Sequence, residues 1–204
     1  MKRLANRFMA VVEKQLRGWL APQDALAKRL PRHGVGAEIG VWKGHFSKRL
    51  LSIAKPKRLY LVDPWLFQPD FPDNGYGGSG RPFRGILVES QSDMDALFES
   101  VKKELGSSPS VEVLRIMSSE MGRHIHPMQL DWIYIDGNHA YEHVKADLEM
   151  AWTLVKPGGV IAGDDFNFKN LSSPYGVRTA LVEFCNDKDR PIVLIGDSQF
   201  LVRS

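Results

Sequence analysis

Two short apolar runs, each broken by acids at its carboxyl end, limit the fold more than any other feature of the sequence. They are Leu130-Asp-Trp-Ile-Tyr-Ile-Asp-Gly-Asn-His-Ala-Tyr141 and Gly158-Gly-Val-Ile-Ala-Gly-Asp-Asp-Phe166. Both are rich in β-branched and aromatic residues, which suits buried parallel strands. Tyr141 to Val155, between them, reads as a helix that Lys156-Pro-Gly-Gly159 ends. Ligands of an open α/β sheet sit outside the carboxyl ends of its strands. Neighbouring parallel strands would therefore aim Asp136, Asp164 and Asp165 at one small volume. Three carboxylates there repel each other unless a cation or a shared proton relieves them. The alternative is that these acids only cap the helices that follow the strands.

The rest of the chain repeats the strand–helix alternation. Val35 to Val41 is the first strand, followed by a helix through Ala54, and Arg58 to Asp63 is the second. A helix from Ser92 to Leu105, with Ser92 or Gln91 at its start, leads to a third strand, Val111 to Met117, and a short helix, Glu120 to His126. After the two acidic strands come a helix from Gly176 to Asn186 and a strand from Ile192 to Ile195, which Gly196-Asp-Ser198 turns back into Gln199 to Arg203. The pattern predicts an α/β three-layer sandwich: a Rossmann-like, mostly parallel seven-stranded sheet with a C-terminal antiparallel hairpin. Residues 64–85, with many Gly and Pro plus Trp65, Phe67, Phe71, Tyr76, Phe83, Arg81 and Arg84, read as a lid over a site or as an irregular insertion.

Residues 34–204 make up that domain, and residues 1–33 a helical N-terminal leader. Leu4, Phe8, Val11, Val12, Leu16, Trp19 and Leu20 recur at helical spacing, and a second short helix runs from Gln23 to Leu30. The leader suits packing on the main domain or on a second copy in a homodimer; the alternative is an anionic membrane surface. It carries eight Lys/Arg against Glu13 and Asp24, a net +6 within an overall +3. The remainder is therefore acidic, so the basic balance does not mark a nucleic-acid face near the acidic strands. Cys185 is the one cysteine, which excludes a disulfide framework and fits a reducing, cytoplasmic compartment. No run of residues is long and apolar enough to predict a membrane span.

The first strand turns into its helix through Glu38-Ile-Gly-Val-Trp-Lys-Gly44. Gly40 lets the backbone turn toward a ligand, and Gly44 lets the helix pack close to the strand. Asp63 ends the second strand, where an acid can accept both hydroxyls of a ribose. A dinucleotide would require Gly-x-Gly-x-x-Gly after the strand; Gly34-Val-Gly36-Ala-Glu-Ile39 fails at the third glycine and lies too early. Glu38 would sit badly beside a pyrophosphate but well beside a cation. S-adenosylmethionine, with an ammonium, a sulfonium and no phosphate, suits this turn better than NAD. A plain strand-to-helix turn is the alternative.

Five segments in order then resemble the class I S-adenosylmethionine-dependent methyltransferases, and among them the macrocin and mycinamicin sugar O-methyltransferases. They are Glu-Ile-Gly-Val-Trp-Lys-Gly-His-Phe-Ser, Tyr-Leu-Val-Asp-Pro-Trp, Tyr-Ile-Asp-Gly-Asn-His-Ala-Tyr, Leu-Val-Lys-Pro-Gly-Gly-Val-Ile-Ala-Gly-Asp-Asp-Phe and Gly-Val-Arg-Thr-Ala-Leu-Val-Glu-Phe, within residues 35–185. The resemblance implies that Glu38, Gly40, Gly44 and Ser47 hold the methionine end of the cofactor, and Asp63 the ribose. Ser118 or Ser119 would flank the adenine, the register being open by one. Asp136, Asp164 and Asp165 match metal-ligand positions, with Mg²⁺ as the hard, oxygen-seeking ion, and Asp136 also borders the cofactor. His139 matches the general base. Asn138 stands where many relatives carry an acid.

The activity so implied is methylation of a hydroxyl on a small molecule, a sugar or polyhydroxylated natural product, assisted by metal. A backbone-bonded structural histidine is the competing reading of His139, and a zinc pair with His143 lacks a further ligand at helical spacing. A nucleic-acid methyltransferase and a catalytically silent cofactor-binding module are the competing functions. The first lacks the Asp/Asn-Pro-Pro-Tyr signature of exocyclic-amine methylation.

Overall fold

The computed structural model describes residues 22–68, 88–169 and 174–204. Its one sheet contains β1 (Val35–Ile39), β2 (Arg58–Val62), β3 (Val111–Leu114), β4 (Leu130–Ile135), β5 (Val155–Gly163), β6 (Val193–Ile195) and β7 (Gln199–Arg203). Their spatial order is β3-β2-β1-β4-β5-β7-β6. The first five strands are parallel, and β7 runs antiparallel to both β5 and β6. Helices α1 (residues 22–27), α2 (His45–Ile53), α3 (Gln91–Leu105), α4 (Tyr141–Leu154) and α5 (Gly176–Lys188) cover the two faces, with a 3₁₀ segment at Ser118–Arg123. This is the α/β three-layer sandwich that the alternation predicts.

Period-two alternation sorts the sheet into two cores. Ala37, Ile39, Ile133, Ile135 and Ile161 pack with Leu148, Leu154, Leu181 and Phe184 from α4 and α5. Leu59, Leu61, Trp132, Tyr134, Val160 and Ala162 face the other way, onto Leu26, Leu50, Met94 and Val101 from α1, α2 and α3. Arg49 of α2 also donates to the Asp24 carboxylate of α1 from both Nε and one terminal nitrogen. The helix at residues 22–27 thus packs on the main domain; the stretch Leu4 to Leu20 lies outside the described residues. Among the described residues no helix is long and apolar enough to cross a membrane.

Local chemistry moved several boundaries. The first strand stops at Ile39, because Gly40 turns with φ +85°. Ser90, not Gln91 or Ser92, caps α3: its Oγ accepts from Asp93 N, and the Asp93 carboxylate accepts from Ser90 N at 3.0 Å. This is a capping box with an Asp in the third position. Ser118–Arg123 forms a 3₁₀ turn where a helix from Glu120 was expected. Lys156-Pro-Gly-Gly159 lies inside an irregular β5, whose pairing jumps from Leu130↔Val155 to Trp132↔Val160.

The strand order reverses between β1 and β4, and Gly40 sits at that reversal. A Cβ on Gly40 would run into the Asp136 backbone carbonyl at the end of β4. The glycine therefore serves the close approach of two strand ends as well as the turn. Gly44, at φ +69°, ends next to Leu105 of α3: a Cβ there would stand 2.8 Å from Leu105 Cδ1. The close approach is to α3, where the sequence reading placed it at a strand. Gly40→Ala combines a left-handed backbone, costing about 1–3 kcal/mol, with a clash against backbone that cannot move aside. The expected result is a denaturant midpoint well below that of the parent; a midpoint within experimental error would contradict this placement.

Candidate active site

Asp63 leaves the end of β2 and turns under the β1–α2 connection. Its Oδ2 accepts from the Val41 and Trp42 backbone N–H groups at 3.0 and 2.9 Å, and its Oδ1 from Trp65 N at 2.7 Å. Trp42 and Trp65 both carry positive φ, 47° and 42°. Trp65 Nε1 donates to the Trp42 carbonyl at 2.9 Å, and Arg115 reaches the Pro64 and Trp65 carbonyls. The carboxylate thus locks two strained turns side by side, and it still lines the cavity above them. Burial raises its pKa, against three lowering bonds from backbone N–H groups.

Glu38 lies one strand over, almost wholly buried, and accepts from Ser47 Oγ at 2.5 Å. Burial holds its carboxyl well above the usual range, which the Ser47 bond only partly offsets. Glu38 and Ser47 are brought together, but neither is part of the cavity wall; Gly40 is. That cavity measures about 190 Å³ and opens above the ends of β1, β2 and β4. Its wall includes Val62, Pro64, Leu66, Met94 and Met117, with Ser118, Asn138, His139, His143 and Asp147 as polar members. Of the two serines considered, Ser118 lines it, whereas Ser119 is exposed and does not.

At one edge of the cavity Asp136, His139 and Asp165 converge. His139 Nε2 stands 3.2 Å from Asp165 Oδ2 and 3.6 Å from Asp136 Oδ1. One ligand atom from each of the three lies within 4.8 Å of the others, a spread that suits a divalent cation. His139 Nε2 is buried, and neither carboxylate meets it in a well-aligned hydrogen bond. The Phe168 ring packs edge-on against His139 at 5.0 Å.

Asp164 departs from the expected convergence. Period two puts it on the face of Val160 and Ala162, toward α1. There its Oδ2 accepts from Gln23 Nε2 at 3.2 Å, beside the Tyr134 hydroxyl, which in turn bonds Gln199. Its Oδ1 accepts from Asp165 N at 2.7 Å. Asp165 carries a left-handed φ of 62°, which turns its side chain back toward His139. The structure therefore brings together Asp136, Asp165 and His139, and holds Asp164 one layer behind them.

Gln23 and Asp147 escaped the sequence reading. Nothing in a short helix distinguishes a buried Gln from an exposed one. Asp147 falls among the apolar positions of α4, between Val144, Leu148 and Ala151, and an acid in that stripe was the available signal. Burial pushes Asp147 up to about 6, against the Ser118 hydroxyl and His143, which pull it down. Asp136 is pushed up to about 7 by burial, with the Asp164 and Asp165 carboxylates adding to it and His139 opposing. His139 loses some basicity to burial, but the surrounding aspartates more than restore it and leave its pKa raised. Cys185 is buried in the α5 core with its thiol pushed up to about 11, which suits packing rather than chemistry.

Against known proteins, the family described as a methyltransferase domain matches residues 37–166. No curated protein matches the chain. Among solved structures it is similar to CalS11, a TDP-rhamnose 3′-O-methyltransferase of calicheamicin biosynthesis, at 18% identity and TM-score 0.59, over 100% of this chain and 86% of that one. The O-methyltransferase NovP aligns at 18% identity and TM-score 0.57, over 89% and 75%. A SAM-dependent methyltransferase from Aquifex aeolicus aligns at 17% identity and TM-score 0.55, over 90% and 88%. At such identities the likeness speaks for the fold alone.

The acid cluster has a consequence for stability. With Asp136 near 7 instead of its ordinary 3.8, the folded protein holds more protons than the unfolded chain across that interval. Stability of the metal-free protein therefore falls as pH rises through it. Asp136→Asn removes this titration. The denaturant midpoint of the variant should fall less steeply than the parent's between about pH 4 and 7 and lie above it at the upper end. An unchanged slope would place the proton elsewhere.

Proposed function

The chain belongs to the methyltransferase-domain family; from that premise we propose that it is an S-adenosylmethionine-dependent methyltransferase that methylates a hydroxyl of a small molecule with the help of a divalent metal. The observation that carries this reading is the convergence of Asp136, Asp165 and His139, of which His139 also lines the cavity. An acceptor of the sugar or polyhydroxylated natural-product class fits it, as do the O-methyltransferase names of CalS11 and NovP.

On this reading Asp63 holds the ribose with its remaining lone pairs, its backbone partners having already fixed its position. Glu38, propped by Ser47, faces the methionine end, where an arriving ammonium would draw it back to the ionised form. Gly40 and Gly44 shape the turn around that end. Ser118 flanks the adenine, and Asp136 borders both cofactor and metal. Asp136 and Asp165 hold the metal, for which Mg²⁺ is the proposed ion; Asp164 joins them only by exchanging Gln23 for the ion.

The cofactor supplies a methyl group on an electrophilic sulfonium, and the metal lowers the pKa of a bound hydroxyl and fixes its aim. The residues do the rest. His139 stands where a proton leaving the acceptor oxygen can be taken up. Without a cation the aspartates hold its pKa up; with their charge engaged, it takes the neutral form that a base needs. Residues 1–21, as the remainder of the leader, are proposed to serve a homodimer contact, and residues 64–85 to cover the acceptor. The protein is proposed to work in the cytoplasm.

The test is turnover of an acceptor bearing adjacent hydroxyls, in Mg²⁺ and in chelator. Chelator should abolish turnover reversibly; equal rates would overturn the metal assignment. His139→Ala should lower turnover by about 10²–10⁴-fold in Mg²⁺, with affinity for the demethylated cofactor unchanged. Full turnover in that variant would return His139 to a structural role.

A further inference from the structure

Gln23 is a polar side chain that α1 sends into the core, at 1% exposure. Its helix neighbours Leu26 and Ala27 share that core with Leu50, Tyr134 and Ala162. Gln23 Nε2 donates to Asp164 Oδ2 at 3.2 Å and lies 3.4 Å from the Tyr134 hydroxyl, whereas its Oε1 is buried with no hydrogen-bond partner. A buried acceptor left unmatched is unfavourable, so packing alone would be better served by an apolar side chain of that length. What the amide supplies, and a hydrocarbon would not, is a donor aimed at Asp164.

Asp164 passes that hold on. Its Oδ1 accepts from the Asp165 backbone N–H at 2.7 Å. Asp165 has a φ of 62°, a left-handed conformation that lasts only where its surroundings enforce it. With that φ its carboxylate returns to the side of Asp136, and Oδ2 stands 3.2 Å from His139 Nε2. The next residue is pinned from the same direction. Phe166 N–H donates to the Ser198 carbonyl at 2.9 Å, and in the same turn a Cβ on Gly196 would meet Pro22 of α1 at 3.5 Å. Asp24, beside Gln23, is tied to Arg49 of α2, which fixes the helix that carries the amide.

Resting on the metal reading above, we infer that Gln23 is a positioning residue for the metal site. By donating to Asp164 it holds the Asp165 turn, and so places the Asp165 carboxylate where the ion is to bind. Groups behind the ligands orient them in this way at metal sites generally. Gln23 itself touches neither the ion nor the cofactor.

Titration of the full chain with Mn²⁺, followed by the paramagnetic resonance of the free ion, tests this. Gln23→Met keeps the length and removes the donor. It should weaken Mn²⁺ binding about 10- to 100-fold, while affinity for S-adenosylhomocysteine, measured by calorimetry, stays within about twofold. Gln199→Met is the control: Gln199 is equally buried and accepts from the Tyr134 hydroxyl at 3.2 Å, in the same network but off the path to Asp165. It should lose comparable stability to denaturant and keep its Mn²⁺ affinity within about twofold. If Gln23→Met does not fold, Gln23→Asn, which keeps the amide but withdraws it from Asp164, carries the same expectation. Parent-like Mn²⁺ affinity in the Gln23 variant would overturn the inference. So would tighter binding, because Gln23 would then be withholding Asp164 from the ion, or an equal loss in Gln199→Met, which would assign the effect to core packing. Failure of the parent to bind Mn²⁺ would overturn the metal reading and this inference with it.

Discussion

One buried carboxylate, Asp63, holds the site together. Three backbone N–H groups from two different connections end on it, and two of the donors, Trp42 and Trp65, have left-handed backbones. Such conformations cost about 1–3 kcal/mol each and persist only where the surroundings enforce them. Here the enforcement comes from charge-assisted bonds inside a dry core, where they are strongest. The ends of β1 and β2 are thereby fixed before any ligand arrives, and the cavity floor is preorganised.

Behind the metal-candidate cluster lies a second layer that reaches the N-terminal helix. Gln23 bonds Asp164, Asp164 bonds the backbone of Asp165, and Asp165 faces His139. Asp164 thus acts on Asp165 through the peptide between them. The same pair of acids serves two faces of the sheet, because adjacent strand residues point in opposite directions. Only the left-handed turn at Asp165 returns one of them to the cavity side.

Much of this was legible in the sequence. The strand–helix alternation predicted the sheet and its hairpin, and Asp63, Asp136 and Asp164 follow directly on the ends of β2, β4 and β5. Asp63 lines the cavity because it follows β2 directly, and His139 because it sits in the connection between β4 and α4. Asp164 was misplaced because the sequence shows two adjacent aspartates but not the φ that separates them. Ser90 was missed as a cap since its partner is Asp93, not the commoner Glu. Gly44 was credited with a strand contact because its real neighbour, Leu105, lies 61 positions along the chain, a pairing that only the folded structure reveals. Asp147 hid inside an apolar helical stripe, where an isolated acid reads as noise until the cavity beside it is seen.

The central claim is that the carboxyl edge of β1, β2, β4 and β5 holds the cofactor and a divalent ion together. A crystal structure with S-adenosylhomocysteine and Mn²⁺, read by anomalous scattering at the manganese edge, tests it most directly. The account predicts the ribose on Asp63 and one anomalous peak between Asp136 and Asp165, at the roughly 2.0–2.6 Å distances of oxygen ligands. A cofactor product seated on Asp63 with no peak at those aspartates, or with a peak bound elsewhere, would contradict it.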